Sequence, residues 1–403
     1  MTLVATFLFA YVFSQFYRSF LAVVTSDLTR DLGLGPAELG NLSAIWFVVF
    51  ALSQFLVGYL LDRHGPRRTI AGMMLFAVAG ALVFAAARSY AMALLGMGLI
   101  GFGCAPILMG ALYYFGRMSA PEKFPLYTSI MVGLGGLGNL AGGRPLTLSV
   151  ESFGWRASLA AIAAITLVSA ALIALMVKDP PRVEAPGGRR GALADLWQIV
   201  SHRPMWSLFL LNFASYAVIA AERGLWLGPY LENVHALGVQ ARGDAAFLMA
   251  LGMSVGALAV GWLVPLLGST KRVSILGNLG TALSFLGLAL LPGLGAGGAI
   301  ALQVTAGLFG MCYGAILSHA RLFLPDHLLG RGVTFCNALS IGGAGILLSS
   351  SGYFVRGALA AGDPPVAVFS MLHLAFAGIL LTALAFYVSS PERPEKIGSR
   401  STG

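Results

Sequence analysis

Charge is scarce in this chain of 403 residues: 10% of them are charged and 58% are hydrophobic, and the mean hydropathy is +0.83. A soluble domain carries roughly 25% charged residues. The shortage argues against an ordinary water-facing surface and makes lipid the expected solvent. Cysteine is nearly missing. Cys104, Cys312 and Cys336 fall in or beside apolar runs, with no CxxC and no His/Cys cluster, which argues against disulfides and structural zinc. No G-x-x-x-x-G-K-[ST] loop occurs, so nothing points to a nucleotide-driven pump. A deep constellation of acids and histidines is also missing, which argues against a membrane-embedded enzyme, and no cofactor is expected. The net charge of +9 does not point to nucleic acid, because the basic residues are scattered between apolar runs and form no basic face. No basic region precedes the first apolar run, which continues past Arg18. That run therefore reads as a retained span, not a cleaved signal peptide.

Long hydrophobic runs are abundant. A membrane-crossing helix takes about 20 mostly apolar residues. Runs of that kind lie at 3–26, 38–61, 69–87, 91–115, 126–150, 157–177, 206–231, 244–267, 273–292, 297–320, 332–355 and 366–388. The expected fold class is all-α integral membrane, with twelve transmembrane helices. Six lie on either side of a polar stretch at 178–204 containing Pro180, Pro181, Pro186, Gly187 and Gly188, which reads as a linker. The expected domains are an N-terminal bundle at 1–177, the linker at 178–204, a C-terminal bundle at 205–390 and a tail at 391–403. Within the linker, 193–200 reads as a short interfacial helix. Lys and Arg set the orientation. With the N-terminus inside, seventeen fall in the inner loops and tail and five in the outer loops (Arg30, Arg88, Arg156, Arg242 and Arg356). The other three of the 25, Arg18, Arg144 and Arg223, fall inside spans. Both termini are therefore expected in the cytoplasm.

The halves carry matching loops. After the second run stands Gly58-Tyr-Leu-Leu-Asp62-Arg63-His64-Gly65-Pro66-Arg67-Arg68, and after the eighth Gly261-Trp-Leu-Val-Pro265-Leu-Leu-Gly268-Ser-Thr-Lys271-Arg272. Both place two glycines seven residues apart before a basic pair. Arg117-x-x-x-Pro121 after the fourth run is matched by Arg321-x-x-x-Pro325 after the tenth. Such matches suggest duplication, the plan of many secondary transporters. The segment from Gly58 to Arg68 resembles the signature loop of the major facilitator superfamily, G-x-x-x-D-R-x-G-R/P-R-R. Gly154-Trp155-Arg156 and the glycine-rich fifth and eleventh runs are also family-like. The resemblance covers the whole chain and is nearly silent on substrate. It implies two pseudo-symmetric six-helix bundles and alternating access at a bacterial inner membrane. It also implies a monomer in membrane lipid, and a gating loop made by Gly58, Asp62, Arg63, Gly65, Arg67 and Arg68. The second copy has Pro265 in the register of the acid, so the latch is expected on one side only. Two features depart from the family's antiporters: the fourth run has no buried arginine, and Arg144 precedes Pro145 where those members have glycine before proline.

Ionisable residues inside spans are costly and are functional candidates. Tyr11, Ser14, Gln15 and Arg18 share one helical face, as do Asn212, Ser215, Tyr216 and Arg223. The first and seventh helices of the family line its central path, as does the fifth, which carries Arg144. The expected substrate-binding set is therefore Tyr11, Gln15, Arg18, Arg144, Asn212, Tyr216, Glu222 and Arg223. Three arginines favour an anionic solute, because guanidinium pairs bidentately with carboxylate or phosphate. The competing reading makes them structural, with Arg223 neutralised by Glu222. Glu222 could instead carry a coupling proton. His319, His373, Asn139, Asn337 and Gln303 read as interfacial or helix-joining groups. Met249 and Met253 share a face, and a copper-importing branch of the superfamily is described as using such pairs; soft sulfur suits Cu(I). The leading expectation is a secondary transporter of a small polar, anionic solute, with a proton as coupling ion. An exporter of amphipathic compounds and a Met249/Met253 copper importer are the alternatives.

Overall fold

The computed structural model describes residues 2–34, 36–142, 144–181, 197–325 and 328–392. Every long element among them is helical. Among the described residues nine helical stretches are long and apolar enough to cross a membrane, against twelve runs in the sequence. The difference has local causes. Asn41–Ala85 covers two expected spans, because helix α3 (Pro36–Ala85) turns at Gly65, φ 80° and ψ 170°. The first expected span is broken into α1 (Thr2–Ser19) and α2 (Leu21–Leu32). The fifth is cut into α6 (Phe124–Gly135), α7 (Leu137–Ala141) and the start of α8 (Arg144–Met176), with α6 and α7 ending next to Gly136 and Gly142. Glycine weakens a helix interior by roughly 1 kcal/mol per residue. The compensation is close approach: a Cβ on Gly138 would run into the Val12 carbonyl, Gln15 and Phe16 of α1.

The chain forms two compact units. Unit 1 is Met1–Ala192 with Asp326–Gly342, and unit 2 is Leu193–Pro325 with Gly343–Gly403. Most of the linker lies outside the described residues, at 182–196; residues 197–200 are helical.

Unit 1 also holds α4 (Tyr90–Cys104) and α5 (Pro106–Met118). Phe7, Phe16, Tyr17, Phe20, Trp46, Phe84 and Trp155 are buried in it. Helix α8 turns at Gly154, φ 77°. Directly after that turn, Trp155 donates its indole N–H to Asp31 at 2.9 Å, and Arg156 donates to the carbonyls of Ala85 and Ala87 at 3.1 and 2.8 Å. The Gly-Trp-Arg triplet thus ties α8 to the ends of α2 and α3, satisfying carbonyls that a helix C-terminus leaves open.

Unit 2 starts with α9 (Trp206–Ala221), a π turn at Glu222–Trp226 and α10 (Leu227–Asn233). It continues with α11 (Val239–Leu267), α12 (Thr270–Leu290), α13 (Ala296–Gly310) and α14 (Tyr313–Arg321). Helix α15 (Leu329–Ala360) begins in unit 1 and finishes in unit 2, and α16 (Pro365–Val388) closes the fold. Large apolar side chains such as Leu175, Trp262, Leu266, Leu290 and Tyr353 remain exposed, as expected where lipid is the solvent.

Candidate functional site

The loop between the two arms of α3 is built around one carboxylate. Asp62 accepts from the backbone N–H groups of Gly330 at 3.0 Å and Arg331 at 3.3 Å. These N–H groups open α15, the end of a helix that carries partial positive charge. The Arg331 Nε lies 3.6 Å from the same carboxylate, and the Arg331 guanidinium sits 5.6 Å over the Tyr59 ring. Arg63 reaches the Tyr59 hydroxyl as well. Gly58 is needed for this approach, since a Cβ there would strike Thr334 and Arg331. Gly65 makes the turn, and Asp179 accepts from the Arg67 N–H at 2.7 Å, capping the second arm of α3. Asp62, His64, Gly65, Arg68 and Asp179 line a cleft of about 190 Å³. Arg63, Arg67 and Arg68 are exposed or nearly so.

The copy in unit 2 repeats the turn without the latch. Gly268 is again left-handed, φ 63°, but the next helix is capped locally by Ser269, whose hydroxyl accepts from the Arg272 N–H. Pro265 lies inside α11 in the register of Asp62.

The polar stripe on α1 is mostly enclosed. Tyr11, Ser14 and Gln15 are buried; Gly135 presses on the Tyr11 ring and Gly138 on Gln15. Arg18 is half-exposed, with its guanidinium 5.1 Å over both the Trp46 and Phe50 rings. Cation–π contacts of this type contribute about 0.5–2 kcal/mol and hold the charge without neutralising it. Among the described residues the Arg18 Nε and the Trp46 indole N–H have no hydrogen-bond partner. Sequence reasoning missed Trp46, because nothing local links it to a residue so far back in the chain.

In unit 2, Asn212 is buried, while Tyr216 is half-buried with its ring 6.5 Å from that of Tyr313. Glu222 and Arg223 part company. Glu222 is fully buried and accepts from the Gln303 amide at 2.6 Å, with the His373 Nε2 at 3.4 Å. Arg223 is exposed and has no acidic partner among the described residues. Adjacent helical residues point about 100° apart, so one faces α13 and α16 and the other faces away. Met249 and Met253 both press on Gly307 of α13. Arg144 is the first residue of α8, and its side chain lies outside the described residues.

The apolar helices of membrane-crossing length mark a polytopic membrane protein. The Major Facilitator Superfamily model matches residues 7–264, and the chain belongs to that family. The symporter XylE, solved as a proton:xylose symporter bound to 6-bromo-6-deoxy-D-glucose, superposes with a TM-score of 0.76 at 13% identity, covering 97% of this chain and 96% of that one. The shared fold is the family's twelve-helix fold. Among curated relatives, the nitrate/nitrite transporter NrtP of Picosynechococcus is 24% identical over 219 residues, which is 46% of this chain and 40% of that protein. A probable hexose phosphate transport protein of Chlamydia muridarum is 20% identical over 315 residues, 70% of this chain and 68% of that one. The match to the nitrate/nitrite transporter thus spans less than half of that relative's length.

Proposed function

We propose that the chain is a secondary transporter of a small anionic solute, working by alternating access with a proton as coupling ion. One observation carries the reading: Arg18 and Arg223 sit on membrane helices as guanidiniums without a carboxylate partner among the described residues. An unneutralised charge at membrane depth is expensive, and a bound anion offsets that cost. The Arg18 guanidinium lies 5.1 Å from the centres of two rings, and the Trp46 N–H has no partner among the described residues, an arrangement suited to a carboxylate, nitrate or phosphate. Two relatives named for anions, nitrate/nitrite and hexose phosphate, support the class without fixing the member. Gln15 and Tyr11 are the neutral polar groups that share the α1 face of Arg18 in unit 1, and Asn212 and Tyr216 stand on α9, ahead of Arg223 in unit 2; Arg144 is the third cation proposed for the solute. Asp62 is the gate in this reading, because the start of α15 can move away from α3 only when Gly330 and Arg331 release the carboxylate.

The test is the melting temperature of the purified protein against nitrate, phosphate, hexose phosphates, mono- and dicarboxylates and cationic drugs. A ligand at 100 times its Kd stabilises the fold by about 2.7 kcal/mol, a shift of a few degrees. An anion should give that shift, and Arg18→Ala and Arg223→Ala should each abolish it. Stabilisation by cationic compounds alone would overturn the reading.

A further inference from the structure

The start of α9 and the end of α16 meet around a groove of about 460 Å³ that the solute site does not use. Its size falls in the range of ligand pockets, about 300–1,000 Å³. Arg203, in the short 3-10 turn Arg203–Met205 that leads into α9, lines it together with Trp206, Ser207, Leu210, Phe386 and Ser389. All of these belong to unit 2. Arg203 is exposed, and no ion pair among the described residues uses it. Trp206, Leu210 and Phe386 are exposed as well. The groove therefore joins an unpaired cation to an apolar channel.

Both walls are tied down. The Trp206 indole N–H donates to the Val200 carbonyl at 2.6 Å, which holds the ring at the end of its span, where tryptophan favours the boundary of lipid and water. Lys271 of α12 donates to the carbonyls of Val388 at 2.7 Å and Ser390 at 2.6 Å, and His319 Nε2 of α14 lies 3.1 Å from the Pro391 carbonyl. An open helix C-terminus carries partial negative charge and repels anions. Lys271 covers that end of α16. Glu392, the acid after Pro391, lies beside His319. Leu210 stands one turn beyond Trp206, so the apolar side chains continue the groove from the rim into the span. The matching corner of unit 1, where the start of α1 meets the end of α8, is closed: the Thr6 hydroxyl donates to the Met176 sulfur at 3.6 Å. The groove is thus a feature of unit 2 and not of the repeated plan.

We propose that this groove binds one anionic phospholipid, its phosphate on Arg203 and Ser207 and an acyl chain along Leu210 and Phe386 beside the Trp206 ring. Guanidinium holds a phosphate through paired N–H···O bonds. Basic pockets between membrane helices on the cytoplasmic side take anionic headgroups, and the pattern of Lys and Arg predicts that side for the start of α9. A soluble phosphate satisfies the cation and leaves the apolar part of the groove bare; a phospholipid fills both. The bound lipid ties the first turn of α9, the helix of Asn212 and Tyr216, to the end of α16. Its binding does not rest on the identity of the transported solute.

The test uses the purified full chain in a neutral detergent, with phosphatidylglycerol or phosphatidylcholine added at equal mole fraction. Melting temperature and the lipid retained in native mass spectrometry are read side by side. A ligand at about 100 times its Kd raises the folding equilibrium about a hundredfold. Phosphatidylglycerol should therefore raise the melting temperature by a few degrees and leave a single retained lipid, and phosphatidylcholine, which has no net charge, should fall well short of both. Arg203→Ala should bring phosphatidylglycerol down to the phosphatidylcholine level. Arg203→Lys, which keeps the charge without the planar fork, should restore part of the difference. Lys123→Ala, which removes an exposed cation of unit 1, should leave the wild-type shift in place. Equal shifts from the two lipids would mean apolar contact alone, and a difference that survives Arg203→Ala, or falls as far in Lys123→Ala, would mean diffuse attraction to basic surface; each overturns the proposal. Inorganic phosphate separates a free anion from a lipid. A phosphate shift that vanishes in Arg203→Ala would put a soluble anion in the groove and overturn the proposal, whereas one that vanishes in Arg18→Ala belongs to the solute site and leaves the lipid result standing.

Discussion

Single side chains do their work here through charges that find a partner or are denied one. Asp31 finds one: the Trp155 indole and then the Arg30 guanidinium hold its carboxyl below the usual carboxylate range. A depressed carboxyl stabilises the fold above its unfolded pKa, about 3.9, and that contribution fades as pH falls through the lower folded value. Asp31→Asn should therefore lower the melting temperature at neutral pH, and the two proteins should converge in acid below about pH 4. Equal curves throughout would show the Trp155 contact to be idle. Arg18 is denied a carboxylate and lies against two rings instead. The stripe from Tyr11 to Arg18 could be read from spacing alone. The separate fates of Glu222 and Arg223 could not, because the partners of Glu222 come from residues 81 and 151 positions away, and periodicity carries no information about which neighbour meets which face.

At the level of elements, glycine decides where a span becomes a turn and where two helices touch. Gly65 needs a positive φ, and the Asp179 carboxylate occupies the space a Cβ would fill. Gly65→Ala should cost about 1–2 kcal/mol from backbone strain alone, with a further loss from displacing Asp179 off the Arg67 N–H. The readout is melting temperature, and Asp179→Asn should recover little of the loss. An unchanged Gly65→Ala protein would mean that the turn tolerates another conformation. The loop motif was legible because its glycine, acid and basic pair each meet a local backbone demand. The breaks in the first and fifth spans were not, because a length-and-apolarity pattern is blind to a helix that stops for one residue and resumes. Capping of the second arm of α3 by Asp179 was equally hidden, since that acid stands 112 positions from its N–H.

For the molecule as a whole, the excess of Lys and Arg on one set of loops predicts a cytoplasmic position for both termini. The three cysteines are all buried, so the chain has little background toward a thiol reagent. Ser201→Cys, an exposed position near the end of the linker, should label only from the cytoplasmic side, and Asp363→Cys, an exposed position between α15 and α16, only from the other. The opposite pattern would invert the orientation. The layout of twelve runs around a polar linker was plain in the sequence because hydropathy reports burial in lipid directly. The division of the chain was less plain: the start of α15 belongs with unit 1, held there by Asp62, and a contact between residues so far apart leaves no trace in composition.

The π turn at Glu222–Trp226 has a consequence for how this chain's relatives can be read. A turn of that kind is a helix carrying one residue more than its hydrogen-bond ladder needs. Removing Gly224, which has open space around it, would let the ladder close regularly and rotate everything beyond by about 100°. Tyr230 and the start of α10 would then leave His373. A relative aligned with a single-residue gap at this point would therefore lack the wide turn that brings Tyr230 against His373.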